Sequence, residues 1–286
     1  TIDRCGICGG NNSFCCEDGS LKLSYNSEII NVLDENYCFN KFDIAILKKI
    51  IELNSNLKNK KPLDIGKQSW KNRRLIYLYL DNHKLSNLPN NIGDLNQMEV
   101  LSLNNNQLTS LPESIIDIST LEGLAINNNK INSLPDSIWK LFNLKELYCN
   151  NNKIDYLPMS IGKLNKIQRL SISNNLLQSL PESISEMENI EYLDISKNKI
   201  AFLPKSICML NLKAYSNSLL AGNNFICENI PKCIESFAGF NYEYNQSGIP
   251  VVVNQNCSLC EIDYIENNNP HSKLTIIDNQ NCFYKK

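Results

Sequence analysis

The sequence has little of what most enzymes need. It has only two histidines, and no glycine-rich segment has the spacing of a phosphate-binding loop. Neither His83 nor His271 has a serine, cysteine or carboxylate that the sequence places as a catalytic partner. We therefore expect a protein that is not an enzyme, with no catalytic residues, no cofactor and no metal site.

Basic charge and long apolar runs are also scarce. The 28 Lys and Arg against 30 Asp and Glu give a net charge of -2, and the basic residues are scattered, which argues against a nucleic-acid partner. The longest apolar runs, such as 249–253, are far shorter than the roughly 20 residues that cross a bilayer, so no membrane span is expected in this segment. Because the chain starts at Thr1 without a leader, either a signal peptide has been removed or the sequence is a segment of a longer protein.

Cysteine is abundant, and its distribution indicates the compartment. Ten of the twelve cysteines lie in the first forty and last sixty residues, outside the regular repeats described below. A reduced cytosolic protein has little reason for that distribution, so we predict a secreted, extracellular protein. Three candidate glycosylation sites, at Asn11, Asn245 and Asn256, lie in or near the same ends.

A strict internal repeat dominates the middle of the chain. Its period is 23 residues, with the pattern LxxLxLxxNxLxxLPxxIxxL. The six repeats begin at Leu75, Met98, Leu121, Leu144, Ile167 and Ile190. The LxL step predicts a short parallel strand in each repeat, near 77–81, 100–104, 123–127, 146–150, 169–173 and 192–196. After a slip of two residues, a degenerate seventh repeat follows with Tyr215, Leu220, Asn223 and Phe225. One repeat cannot bury its apolar face alone, so the pattern predicts an α/β solenoid of stacked repeats.

Each repeat has an asparagine where the strand turns inward. These residues are Asn106, Asn129, Asn152, Asn175 and Asn198. A short amide can donate to and accept from buried backbone groups of neighbouring repeats, so we expect a ladder of hydrogen bonds. His83 holds this position in the first repeat, and we interpret it as a structural substitute.

This repeat resembles the leucine-rich-repeat family, and within it the 23-residue class of Ras-associated scaffolds of the erbin and scribble type. The resemblance covers about residues 75–225 and implies the solenoid fold, but it says almost nothing about function, because such repeats serve binding in many contexts. Those scaffolds are cytosolic, whereas the cysteines indicate secretion. We favour secretion, because the repeat subtype reflects how the repeats pack, whereas disulfides indicate an oxidising compartment.

The flanks of the repeats predict caps. Residues 43–54 read as an amphipathic helix with Ile44, Leu47, Ile50 and Ile51 on one face, followed by a loop through Pro62 and Trp70. This arrangement resembles the N-terminal cap of plant-type extracellular leucine-rich-repeat proteins, but lacks their cysteine pair beside the tryptophan. The predicted organisation is a cysteine-rich segment (1–38), a helical cap (39–74), the repeats (75–225) and a cysteine-stapled cap (226–286), in which 249–253 and 273–277 read as strands.

The first segment contains the motif DRCGICGGNNSFCC. It resembles the DxCGxCGGDNSxC segment of secreted metalloproteases with thrombospondin repeats and of protist extracellular proteins, which implies an extracellular disulfide knuckle. The alternative is a zinc site that uses Cys5 and Cys8 with Cys15 and Cys16, although adjacent thiols are poor chelators. A second CxxC, at Cys257, raises the alternative of redox chemistry, but no βαβ pattern surrounds it.

Eleven cysteines are candidates for disulfides, while Cys149 replaces an inward apolar residue and is expected to be a buried free thiol. The candidates are Cys5, Cys8, Cys15, Cys16, Cys38, Cys208, Cys227, Cys233, Cys257, Cys260 and Cys282. Cys208 and Cys233 occupy equivalent sites of adjacent repeats once the slip of two residues is counted, so we predict that they pair. Five candidates are N-terminal, an odd number, so at least one of them stays free, reaches the C-terminal set or bonds to another chain, and we favour an interchain or inter-module bond over a free thiol.

The outward strand positions on the concave face are the candidate binding surface. They include Tyr77, Tyr79, Glu146, Tyr148, Arg169, Tyr192 and Asp194. A ligand that reached all four tyrosines would cover about five strand spacings of roughly 5 Å, which suits a protein or an extended glycan. The alternative is a structural subunit of an extracellular matrix, wall or filament that self-associates through its caps, with the concave face solvated.

Overall fold

We describe the fold from a computed structural model of the chain. It describes residues 20–23, 28, 30–33, 38–210 and 222–224, together with the backbone of four strands near the C-terminus. The chain divides into two compact units. Unit 1 consists of Thr1–Ile131 and Ser137–Leu147, and unit 2 consists of Asn132–Asp136 and Tyr148–Lys286.

Unit 1 begins with three short strands and one helix. Strand β1 (Ser20–Lys22) pairs antiparallel with β3 (Cys38–Asn40), and β2 (Ile30–Val32) pairs parallel with β4 (Lys67–Lys71). Helix α1 (Lys41–Leu53) starts at Asn40, whose side chain accepts from two backbone N–H groups of the first turn. Two short 3₁₀ helices, Ser55–Leu57 and Pro62–Asp64, connect α1 to β4.

The repeats contribute one short strand each. In unit 1 these are β5 (Arg74–Tyr79), β6 (Val100–Ser102) and β7 (Gly123–Ala125), and in unit 2 they are β9 (Arg169–Ser171) and β10 (Tyr192–Asp194). Strand β8 (Glu146–Tyr148) lies where the chain passes from unit 1 to unit 2. The pairs β5–β6, β6–β7 and β9–β10 are parallel, and their partners are 23 residues apart, so each repeat stacks in register on the last.

The LxL side chains form the core, as predicted. In unit 1, Leu78, Leu101 and Leu124 are paired in register and are at most 1% exposed. The LPxxIxxL half of each repeat ends in a 3₁₀ helix whose isoleucine is buried. These helices are Ile92–Asp94, Glu113–Asp117, Ile138–Lys140, Met159–Lys163, Glu182–Glu186 and Lys205–Met209.

The strands end about two residues earlier than predicted. In the second to fifth repeats, the third residue after the end of the strand is an asparagine with a φ between 53° and 57°, for example Asn105 and Asn174. That left-handed conformation turns the chain before a longer strand can form. Strand β5 instead starts early, at Arg74, because it also pairs antiparallel with β4.

The asparagine ladder is confirmed. The Asn175 amide nitrogen donates to the carbonyls of Cys149, Ile172 and Ser173 at 2.9–3.2 Å, and its oxygen accepts from Ile154 N. Asn106, Asn129 and Asn198 make the same set of bonds at the equivalent positions of their own repeats. Asn223 is 3% exposed and bonds Ile195 O and Ile200 N, so the ladder continues into the seventh repeat after the slip.

The N-terminal cap differs from expectation in two respects. Trp70 does not lie in a loop: it is in β4, is 1% exposed and packs edge-on against Phe39 at 4.9 Å. In α1, Ile46 is buried while Ile51 is half-buried, because α1 has to fit the N-terminal strands as well as the first repeat. The helix and the burial of Ile44, Leu47 and Ile50 are confirmed.

Polar contacts fasten this cap to the first repeat. The Asp43 carboxylate accepts from both Nε and Nη2 of Arg74 at 2.9 Å and from Leu75 N at 2.9 Å. At the other end of α1, buried Asn54 accepts from Ser86 N and donates to Ile50 O and Asn87 O. These contacts join residues about 30 positions apart, so α1 is held as part of the repeat stack.

Two of the candidate disulfide cysteines and two pairs of C-terminal strands lie among the described residues. Cys38 and Cys208 are disulfide-bonded, but Cys233, the predicted partner of Cys208, lies outside the described residues. The same holds for seven other candidate cysteines and for Asn11, Asn245 and Asn256, while Cys282 is described only by its backbone, in β14. Two antiparallel pairs confirm strands near 249–253 and 273–277: β11 (Tyr242–Tyr244) with β12 (Pro250–Val252), and β13 (Lys273–Asp278) with β14 (Asn281–Lys285).

Cys149 is a free thiol and is fully buried, as predicted. Burial raises the pKa of this thiol, because the thiolate would lose its hydration in the core. We expect native full-length protein to show no alkylation at Cys149 by iodoacetamide at neutral pH, and labelling only after denaturation. Peptide mass mapping measures this, and labelling of the folded chain at the rate of the denatured one would contradict the burial.

Candidate functional site

The outward strand positions form one surface in each unit. In unit 1 we call it strand face 1; its residues alternate with the buried leucines and are Tyr77, Tyr79, Val100, Ser102, Gly123, Ala125 and Glu146. Tyr77 is half-buried and Tyr79 is 37% exposed. Gly123 and Ala125 carry little side chain, so the tyrosines stand beside a flat, open area.

Two charged groups at the start of the strands adjoin strand face 1. The pKa of Tyr77 is raised, chiefly by burial and then by the nearby carboxylate of Glu99. Glu122 lies one repeat further and forms an ion pair with Lys145 at 2.8 Å. Strand face 1 therefore combines half-exposed aromatic rings with carboxylates.

Strand face 2 is the corresponding surface of unit 2, with Tyr148, Arg169, Ser171, Tyr192 and Asp194. Arg169 is exposed, whereas Tyr148, Tyr192 and Asp194 are half-buried. The pKa of Tyr192 is raised by burial first and by Asp194 second, while a hydrogen bond with Ser171 and the charge of Arg169 act in the opposite direction. The predicted residues of unit 2 are therefore brought together, with both signs of charge beside the rings.

A second ladder of side chains fixes the ends of the strands. Asp81 Oδ1 accepts from Ser102 Oγ at 2.7 Å and from Asn104 N at 2.6 Å, and Asn104 Oδ1 accepts from Asn127 N at 2.8 Å. In unit 2, Asn150 Oδ1 accepts from Ser171 Oγ and Ser173 N. The sequence analysis missed this ladder, although an oxygen-bearing side chain recurs every 23 residues there.

A depression of about 650 Å³ lies in unit 1 where β4 and the end of β5 meet. It is lined by Asp64, Gly66, Lys67, Tyr79, Asp81 and His83. His83 Nδ1 lies 2.7 Å from Asp81 O. In the next repeat the Asn106 amide contacts the equivalent carbonyl, Asn104 O. This contact agrees with the structural role predicted for His83. The His83 ring also lines the depression.

The described residues contain no candidate metal site, no unpaired buried polar side chain and no membrane-spanning helix. Within them, no three His, Cys, Asp or Glu side chains are grouped so that they could hold a metal ion. No buried side-chain nitrogen or oxygen lacks a hydrogen-bond partner in that part of the chain. No helix among those residues has the length and apolar character to cross a membrane.

Comparisons with known proteins agree with this geometry. Residues 47–151 match the family model "Leucine-rich repeat region", and residues 142–200 match the model "Leucine rich repeat". No curated protein matches the chain. Many solved structures are similar in fold.

Three solved structures illustrate the similarity. A leucine-rich-repeat protein of Leptospira interrogans is 30% identical, with 56% of this chain and 52% of that chain covered and a TM-score of 0.44. The ectodomain of the Arabidopsis thaliana receptor kinase GASSHO1/SCHENGEN3, in complex with CASPARIAN STRIP INTEGRITY FACTOR 2, is 24% identical over 60% and 20% of the two chains, with a TM-score of 0.47. The PEPR1–AtPEP1 structure is 20% identical over 65% and 31%, with a TM-score of 0.52.

The chain spans about half the length of the first of these structures and less of the other two. The PEPR1–AtPEP1 likeness supports the fold alone. The family models agree with the 23-residue register, the parallel strands and the asparagine ladder. Residues 47–200 are therefore leucine-rich-repeat regions, and the fold is a leucine-rich-repeat solenoid.

Proposed function

We propose that this chain is a non-catalytic extracellular recognition module that binds a protein partner through its strand faces. Leucine-rich-repeat domains are typically protein-interaction modules. The observation that carries the proposal is the set of tyrosines that project, half-buried or exposed, from the strands beside charged side chains. Tyrosine supplies large contact area with little loss of side-chain entropy, and interface hot spots are enriched in it.

The strand faces are rigid, which favours binding. Asp81, Asn104 and Asn150 bond the next repeat at distances of 2.6–2.9 Å, so the backbone under the tyrosines is fixed before a partner arrives. A preorganised surface loses less conformational entropy on binding, and affinity rises accordingly. A solvated face without a partner has no such need for exposed aromatic rings.

The extracellular setting rests on cysteine. Cys38 and Cys208 are disulfide-bonded near the two ends of the repeats, and disulfides persist in oxidising compartments. Glycosylation at Asn11, Asn245 and Asn256 belongs to the same proposal. An extended glycan is the second ligand class that the strand faces suit.

The proposal is tested with binders selected from a displayed peptide library against the full chain. Selection samples every exposed surface, so a preferred site emerges from the panel. We expect Tyr77→Ala, Tyr79→Ala, Tyr148→Ala and Tyr192→Ala to weaken the binders of their own strand face by at least about 1 kcal/mol each. Titration calorimetry or surface plasmon resonance measures the loss.

The matched control is Tyr156→Ala. Tyr156 is 47% exposed and lies outside the strands, so its loss removes a similar ring from a different surface. A panel that is insensitive to all four strand-face variants, or that responds equally to Tyr156→Ala, would overturn the proposed function.

A further inference from the structure

The depression of unit 1 is a preformed pocket that adjoins strand face 1. Gly66 has a φ of +64°, and a Cβ there would lie 2.0 Å from Tyr79 O, so the chain approaches β5 as closely as only glycine allows. This approach brings Asp64 and Lys67 to the side of Tyr79. The pocket volume of about 650 Å³ is in the range of ligand sites.

Two of the lining groups, Asp81 and His83, are held in place by hydrogen bonds to the backbone and to Ser102. Asp81 uses Oδ1 to accept from Ser102 Oγ and Asn104 N, which fixes the plane of its carboxylate. His83 Nδ1 contacts Asp81 O at 2.7 Å; a carbonyl only accepts, so Nδ1 carries the hydrogen. The second carboxylate oxygen of Asp81 remains as an acceptor for a ligand.

The charges favour a cationic ligand. Asp64 and Asp81 provide two carboxylates against one ammonium, Lys67, and the Glu99 carboxylate adjoins strand face 1. A metal ion is not the ligand that these groups suit, because no metal-holding group occurs among the described residues. An organic cation matches both the carboxylates and the exposed ring of Tyr79.

We propose that this pocket receives a cationic side chain of the partner protein, and arginine in particular. A guanidinium can stack on the Tyr79 ring while its fork of N–H groups donates to Asp81 or Asp64. The pocket thereby selects a basic partner segment and sets its position at the first repeat. This inference rests on the proposed function and names the chemistry of the partner.

The test measures binding of a fluorescent oligoarginine peptide to the full chain. An oligocitrulline peptide of equal length is the probe control, since it has nearly the same shape without the charge. We expect oligoarginine to bind, oligocitrulline to bind at least about tenfold more weakly, and Asp81→Asn and Asp64→Asn each to raise the Kd about tenfold. Asp81→Asn keeps an oxygen acceptor for Ser102 and Asn104, so the strand end is preserved.

Asp117→Asn is the matched protein control. Asp117 is an exposed aspartate on a 3₁₀ helix of unit 1, so the change in net charge is the same. Equal losses in Asp117→Asn and Asp81→Asn, equal binding of the two peptides, or a neutral oligosaccharide that binds the pocket more tightly than oligoarginine would overturn the inference. Those outcomes leave the proposed function intact if library binders still respond to the strand-face tyrosine variants.

Discussion

Replacing Arg74 with methionine should lower the free energy of unfolding by about 3 kcal/mol. Arg74 makes two hydrogen bonds to Asp43, whose side chain is 1% exposed. Methionine retains most of the packing of the stem but leaves a buried carboxylate with only the Leu75 N–H as a donor. We expect the midpoint of urea unfolding of the full chain to fall accordingly.

The control for this prediction is Lys145→Met. Lys145 and Glu122 form an ion pair of similar length, 2.8 Å, but both side chains are more than 40% exposed, so its removal should cost at most about 1 kcal/mol. Asp43→Asn should recover part of the stability of Arg74→Met, because the uncompensated charge is gone. Equal losses in Arg74→Met and Lys145→Met would show that the Asp43 pair does not fasten the cap.

Replacing Asn175 with alanine should also cost about 3 kcal/mol, because the change leaves several buried backbone groups without partners. The Asn175 side chain donates to Cys149 O, Ile172 O and Ser173 O and accepts from Ile154 N. Each unpaired buried group costs about 1–3 kcal/mol, and water entering the gap recovers part of the sum. Denaturant titration followed by circular dichroism measures the change.

Asn189→Ala is the matched control, since Asn189 is exposed and its amide donates to a single carbonyl, Asn165 O. Its loss should change stability by no more than about 0.5 kcal/mol. A similar effect of the two substitutions would contradict the role of the asparagine ladder in the stack.

The fold was predictable from the sequence because every repeat uses the same arrangement of inward side chains and hydrogen bonds. Period, inward leucines and the asparagine ladder all follow from the 23-residue pattern, and Asn223 extends the ladder after the slip. The N-terminal cap was less predictable. The bonds of Asp43 to Arg74 and Leu75 span more than 30 positions and occur once, so no periodicity reveals them, and the pairing of β4 with β5 moved Trp70 from an expected loop into a strand.

The candidate site was predictable only in part. Strand alternation places Tyr77, Tyr79, Tyr192 and Asp194 outward. The alternation does not reveal that the Glu99 carboxylate, which precedes β6, influences Tyr77, or that Gly66 brings Asp64 to Tyr79. Those contacts depend on side-chain length and on how β4 folds back, and neither is encoded in a repeat pattern.

A recognition module and a structural subunit differ most directly in the native mass of the chain. The structural alternative assembles many copies through the caps, whereas a recognition module works as one copy or two. Light scattering of the full chain under non-reducing conditions should give the 32.6 kDa of one chain, or twice that value, plus any attached glycan. Large assemblies that disappear when residues 1–16 are deleted, but persist when the strand-face tyrosines are replaced with alanine, would contradict the proposed recognition function.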